Sequence, residues 1–326
     1  METMLRAAKG DGVGNVFLER VPVPEPGPGE VLSRTRVSLI SRGSELWRRY
    51  VLEEAVSPDI MGYSTAGVVE QVGAGVAGFA PGDRVAVTAP HAEYSLRPAA
   101  AEDPRVMRLD PELSFDEGTF RPLATSAACW AQALDITAQD RVAVLGQGLV
   151  GNLVMQFARG YRPAQLIAVD SLELRCRLAR ETGAPEVVHA GEEDPVAAVR
   201  RLTGGAGATI VVDCVGGPPG VASFEQAQRM VSDGGLIQVN AKYHQQPLPL
   251  HVDRIQGTRI QVSYPASVDR TAAGRAALAA LAAGEVRVQP LITDRYAAAD
   301  LKAAFDFLYH HPERALAILL DWPRGS

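Results

Sequence analysis

Residues 141–151 read Arg-Val-Ala-Val-Leu-Gly-Gln-Gly-Leu-Val-Gly, and this stretch decides the fold. A short β-branched run, Val142 to Leu145, ends in Gly146-Gln147-Gly148-Leu149-Val150-Gly151, and a helical pattern follows over residues 149–159. Glycines in this spacing are weak evidence alone. A strand before them and a helix after them make a dinucleotide-binding turn. Gly146 permits the tight turn, Gly148 lets a pyrophosphate approach the backbone, and Gly151 lets the helix sit close to the strand. The unpaired N–H groups of Leu149, Val150 and their neighbours then face the phosphate charge. Asp170 lies 19 residues beyond Gly151, at the end of the next β-branched run (Gln-Leu-Ile-Ala-Val-Asp170). A carboxylate there accepts the ribose hydroxyls of NAD and repels the extra phosphate of NADP. Ser171, Leu172 and Glu173 follow instead of an arginine, so NAD(H) is the expected cofactor, with Arg175 placed to pack over adenine. A glycine turn serving FAD or S-adenosylmethionine is the alternative.

The same texture extends outward. Apolar runs at residues 186–190, 209–214 and 236–240 alternate with amphipathic segments at 172–182 and 195–203, and 259–263 reads as a sixth strand. Such alternation specifies βαβ units on a parallel sheet. Cys214 and Val215 end the fourth strand and should line the adenosine side; Val239 and Asn240 end the fifth, near the nicotinamide. Lys242-Tyr243-His244 follow at the same carboxyl edge and read either as ligand contacts or as a solvated loop. Before residue 118 the chain is β-rich, with an alternating strand at 31–40, another at 65–72, and turns at Gly73-Ala74-Gly75 and Pro81-Gly82-Asp83. After 266 come an Ala/Leu helix (272–283), a helix at 298–309 and a last strand, Ala-Leu-Ala-Ile-Leu-Leu-Asp-Trp322. His310-His311 precede Pro312 and mark a helix end rather than a metal site.

Bulk properties narrow the function. With 326 residues the chain has room for two domains, and 47% hydrophobic and 21% charged residues are ordinary for a globular protein. A net charge of −6 without a basic run argues against nucleic acid or anionic membrane as a partner. No apolar run approaches ~18 residues, so no membrane span is expected. The opening Met-Glu-Thr-Met-Leu-Arg carries no basic segment ahead of an apolar one, so no secretory leader is expected. Three cysteines with no CxxC spacing suggest neither a disulfide framework nor a cysteine-built zinc site, and a cytoplasmic setting fits.

Several further residues are similar to signatures of the medium-chain dehydrogenase/reductase superfamily. They are Gly62 with Ala66-Gly67-Val68-Val69, the turn Val72-Gly-Ala-Gly-Val76, Pro81-Gly-Asp-Arg-Val85, Ala92-Glu93-Tyr94, the glycine turn itself, and Gly234-Gly235. The resemblance spans nearly the whole chain. It implies an α/β protein: a GroES-like β-rich catalytic domain (1–124), a doubly wound Rossmann domain (125–265), and a return to the catalytic domain (266–326). Substrate is expected in the cleft between the two. It also implies a homodimer through the Rossmann sheet edge at 259–264, consistent with the need to cover an open edge.

The departures from that family bear on the chemistry. Its zinc enzymes use a cysteine, a Gly-His-Glu and a third ligand. Here the cysteine's place falls on Ser41, Gly-His-Glu becomes Gly62-Tyr63-Ser64, and residues 119–126 hold no Cys, Asp or His. The four-cysteine structural zinc lobe is missing as well. Serine and tyrosine are poor zinc ligands, so no metal is expected and the sequence resembles a zinc-lacking branch. Other groups must then stabilise the alkoxide and move the proton. Tyr63, Ser41 and Ser64 offer hydroxyls, Glu45 a carboxylate for a basic partner, and His91 an imidazole in a segment that lines the pocket in relatives. Each has a structural reading too: Tyr63 as a packed aromatic, Ser41 and Glu45 as caps of the next helix, His91 as a bonded structural histidine. Arg42, Arg48 and Arg49 read as a solvated helix face, with attraction of an acidic substrate as the alternative. The expected activity is zinc-independent, NAD(H)-linked interconversion of a hydroxyl and a carbonyl on a small polar metabolite. C=C reduction and a non-catalytic NAD sensor remain as alternatives.

Overall fold

The computed structural model describes residues 2–99, 105–243 and 246–323. The chain divides into two compact units: Met1–Thr125 with Arg270–Gly284 and Leu291–Ser326, and Ser126–Asp269 with Glu285–Pro290. Residues 285–290 thus pack with the second unit, within the tail that the sequence reading assigns wholly to the first.

The second unit is a six-stranded parallel sheet. Its strands are β1 Arg141–Leu145, β2 Gln165–Asp170, β3 Glu186–His189, β4 Ala208–Asp213, β5 Val231–Val239 and β6 Arg259–Val262. They lie in the order β3-β2-β1-β4-β5-β6. The order reverses between β1 and β4, the switch point where open α/β sheets bind ligands. The helices α1 Leu149–Gly160, α2 Glu173–Glu181, α3 Pro195–Leu202 and α4 Gly220–Met230 follow β1 to β4 in the chain. Uninterrupted apolar strands are what a sheet covered on both faces requires. Ala143, Leu145, Ile167, Val169, Val211 and Ile237 are accordingly buried against Phe224 and Met230. Asp194 caps α3 through the N–H groups of Val196 and Ala197, with Pro195 in the first turn. β5 begins five residues before the sequence reading starts it, because Ser232-Asp233-Gly234-Gly235 runs through as an irregular stretch of strand.

In the first unit the strand Glu30–Ser41 is the spine. It pairs antiparallel with Thr65–Val72, Tyr94–Pro98 and the C-terminal strand Ala317–Asp321, which is in turn parallel to Ile292–Ala297. The last residues of the chain therefore complete the sheet begun by its first hundred. A hairpin, Thr3–Lys9 with Val16–Pro22, stands apart from this sheet. Phe115–Thr119 and Arg121–Gln132 are helices that the sequence reading leaves out. Their start is a capping box: the Ser114 side chain accepts from Glu117 N–H while the Glu117 carboxylate accepts from Ser114 N–H. That Ser-x-x-Glu was readable in the sequence.

Candidate active site

Ser41 is the last residue of the spine, and the wide π-type helix Arg42–Tyr50 leaves directly from it. Glu45 reaches back over the first turn, and its Oε1 accepts the Ser41 N–H at 2.9 Å. The helix is thus capped by Glu45; the Ser41 side chain makes no cap bond. Its hydroxyl and that of Ser44 instead lie beside the Tyr63 phenol, where each acts to ease its ionisation. The three hydroxyls expected from the sequence become Ser41, Ser44 and Tyr63. Ser64 does not join them: it is buried, its Oγ has no partner among the described residues, and its carbonyl accepts from Leu39 N–H.

His91 is completely buried. Its Nε2 lies 2.7 Å from Glu45 Oε2 and its Nδ1 2.9 Å from Ser38 Oγ, and the Trp322 indole N–H donates to that same Oγ at 2.9 Å. Indole only donates, so Ser38 must accept from it. The Glu45 carboxylate only accepts, so His91 Nε2 carries a proton facing it. The ring is sealed behind this chain of bonds, which corrects the expectation that it lines an open pocket. Gly62 explains how it fits. At φ +103° a Cβ there would stand 2.7 Å from both the His91 ring and its backbone N, and His91 N–H donates to the Met61 carbonyl.

Burial acts to raise the Glu45 carboxyl, but His91, Arg49 and the Ser41 N–H together outweigh it and hold the group below the ordinary carboxylate range. The Tyr63 phenol is pushed up to about 12, by burial first and the Glu45 charge second. It is a hydrogen-bond donor at any physiological pH. Arg49 is the residue sequence reasoning misplaced. Arg48 is exposed, but Arg49 is buried, with its guanidinium 5.8 Å above the Tyr63 ring and Nη1 3.7 Å from Glu45. Arg42 donates to the Leu308 carbonyl.

The second unit carries a cradle of a different kind. A Cβ on Gly151 would lie 1.7 Å from the Gly146 carbonyl oxygen, and one on Gly146, at φ +81°, would lie 2.7 Å from Val215. Gly148 has nothing within 4 Å and sits at the N-terminus of α1, ahead of Leu149 and Val150. The one open position is the one a pyrophosphate would approach, so the residues fit a dinucleotide. Asp170 ends β2 with both oxygens engaged: Oδ2 accepts from Gln147 N–H at 2.6 Å and Oδ1 from Leu172 N–H at 3.0 Å, with Arg175 Nη1 3.6 Å away.

At the carboxyl ends of β4 and β5, Asn240 N–H donates to the Asp213 carbonyl and Asn240 Nδ2 lies 3.8 Å from Cys214 Sγ. This brings Cys214, Val215, Val239 and Asn240 together. Asp213 is a further residue that sequence reasoning missed. One oxygen accepts from Val215 N–H and Ser223 O–H, while Oδ2 is buried without a partner among the described residues. Burial pushes its carboxyl up to about 7. Its signal was a carboxylate ending an otherwise apolar strand. Lys242 is exposed and the Tyr243 carbonyl accepts from Gly217 N–H; His244 lies outside the described residues. His310 ends the helix Leu301–His310, as read from the sequence.

The metal donors are few. Among the described residues no group of three or more His, Cys, Asp or Glu is arranged to hold a metal ion. The imidazole and carboxylate nearest Ser41 and Tyr63 are committed to each other.

Comparison with known proteins agrees with this two-part build. Residues 27–131 match the family described as alcohol dehydrogenase GroES-like domain, and residues 150–283 match the family described as zinc-binding dehydrogenase. Human sorbitol dehydrogenase is 26% identical, with 90% of each chain covered. L-threonine 3-dehydrogenase of Bacillus licheniformis is 24% identical over 92% of this chain and 94% of that one. Among solved structures, 2R,3R-butanediol dehydrogenase from Bacillus subtilis shares the fold with a TM-score of 0.82 at 20% identity, over 98% of this chain and all of that one. An Escherichia coli oxidoreductase/dehydrogenase of unknown specificity gives 0.87 at 20% identity, over 99% of this chain and all of that one. The chain belongs to the medium-chain dehydrogenase/reductase superfamily and is an alcohol-dehydrogenase-like oxidoreductase.

Proposed function

We propose that this chain is a zinc-independent, NAD(H)-linked dehydrogenase/reductase that interconverts a hydroxyl and a carbonyl on a small polar metabolite. One observation carries the reading: the imidazole and carboxylate nearest Ser41 and Tyr63, those of His91 and Glu45, are bonded to each other at 2.7 Å, which leaves hydroxyls as the groups beside them. That donor set suits hydrogen bonding to a substrate oxygen and does not suit zinc. NAD(H), when bound, supplies or accepts the hydride. Gly146, Gly148, Gly151, Leu149 and Val150 would hold its pyrophosphate, Asp170 its adenosine ribose and Arg175 its adenine, and Cys214, Val215, Val239 and Asn240 would line the rest. Tyr63 donates a hydrogen bond to the oxygen that becomes alkoxide on carbonyl reduction, with Ser41 beside it, and solvent water supplies the proton that completes the alcohol.

The relatives named for sorbitol, L-threonine and butanediol suggest a substrate rich in hydroxyls, such as a sugar, cyclitol or biosynthetic intermediate. Asp170, held by two backbone amides, disfavours the NADP phosphate, which weighs against an NADPH-linked C=C reductase. We further propose a homodimer through β6, the terminal strand of its sheet, where Ile260 and Val262 are exposed. No helix among the described residues is long and apolar enough to cross a membrane, and a cytoplasmic setting is part of the proposal.

The test is turnover against a panel of polyols, ketoses, simple alcohols, ketones and enones with each cofactor. Oxidation of a polyol with NAD is expected. NADPH-linked enone reduction as the best activity, or no turnover with cofactor bound, would overturn the proposal.

A further inference from the structure

The bonds around His91 form one chain. They start at Trp322, at the end of the last strand, pass through Ser38 in the spine and His91 beyond Arg84–Val87, and end on Glu45 in the helix. The segments involved are far apart in sequence and are all buried: Ser38, His91 and Glu45 are each 0% exposed and Trp322 is 4%. A buried carboxylate is costly unless fully bonded. Here two donors are set on it with the Arg49 guanidinium 3.7 Å away, and one donor, the Ser41 N–H, belongs to a residue whose hydroxyl neighbours Tyr63.

We propose that Glu45 is a positioning residue: clamped by the chain Trp322–Ser38–His91, its carboxylate holds Ser41, and through it the Tyr63 hydroxyl, in one arrangement facing substrate. The clamp replaces, with side chains from three distant segments, the rigidity that a bound ion gives to a site. It rests on the reading above that Ser41 and Tyr63 serve the substrate oxygen. The charged and titratable groups around Tyr63 are Glu45 and Arg49 on the helix, with His91 behind Glu45. Burial first and the negative charge of Glu45 second keep the phenol protonated, and Arg49 opposes them more weakly.

Two measurements decide this without any substrate. Nitrogen-15 spectra of histidine-labelled parent protein should show a proton on His91 Nε2, hydrogen bonded to Glu45; an Nε2 without a proton would overturn the clamp. Ultraviolet titration of tyrosinate, with Tyr63→Phe identifying the signal, should show Tyr63 ionising at tenfold or more higher proton concentration in Glu45→Gln than in the parent. Unchanged ionisation would overturn the proposal. The histidine spectrum uses the parent chain, so it decides even if Glu45→Gln does not fold. On any substrate that the panel turns over, Glu45→Gln should lower kcat at least tenfold with KM changed less, and Glu45→Asp should recover part of it. An equal rise in KM with kcat unchanged would overturn the positioning role while leaving the dehydrogenase reading intact. A panel without turnover would sink that reading and leave the two spectroscopic tests in force.

Discussion

The dinucleotide cradle and the hydroxyl cluster solve the same problem by opposite means. The cradle is made of backbone: two glycines that admit no side chain, one left open, and a carboxylate pinned by amides two and twenty-three residues away. The cluster is made of side chains, brought from residues 38, 41, 45, 63, 91 and 322 by strand pairing. Backbone sites are specified by spacing and fail sharply when it is violated. Side-chain sites are specified by packing and fail in graded ways, group by group.

Substituting the cradle should give the largest effect. Gly151→Val drives its side chain into the Gly146 carbonyl, so the turn must open. NAD(H) binding, followed by protein fluorescence, should fall beyond detection, with about 1–3 kcal/mol or more of stability lost in thermal unfolding. Nearly unchanged NAD(H) affinity would refute the rigid-cradle account. In the cluster, Tyr63→Phe should leave NAD(H) affinity within about twofold and lower kcat by about 10²-fold or more. If the cofactor affinity moved instead, the two regions would not be the separate devices described here.

Much of the cradle was legible in sequence because its parts are local. Strand, glycines, helix and Asp170 fall within thirty residues, and each element has its own period. The cluster was legible only as residue types. Ser41 and Tyr63 could be named, but the partner of Glu45 lies 46 residues away and that of Ser38 lies 284 residues away. Only sheet register brings them together. Arg49 shows the limit most clearly. Its neighbour Arg48 is solvated, and a helix of π type turns through a different angle per residue from the one a sequence pattern assumes.

Asp213 offers an intermediate effect with a definite sign. Its folded value of about 7 lies above the ordinary 3.8, so the folded chain holds more protons than the unfolded one between those pH values. Stability is therefore lost as pH rises through that window. Asp213→Asn should stabilise the protein on the order of 2–4 kcal/mol at pH 8 and little at pH 4, measured by urea unfolding. Equal effects at both values would show that the carboxyl ionises normally. The smallest change concerns cofactor choice. Asp170→Ala should weaken NAD(H) and favour NADP(H) by about tenfold relative to the parent in kcat/KM. A parent that already prefers NADP(H) would contradict the assignment of Asp170.

The central claim is that hydroxyls, not a metal, serve the reacting oxygen. Its most direct measurement is turnover of chelator-stripped protein alongside elemental analysis of the same sample. Full activity at far less than one zinc per chain is the predicted result. Activity that disappears on stripping and returns with stoichiometric zinc would contradict the account.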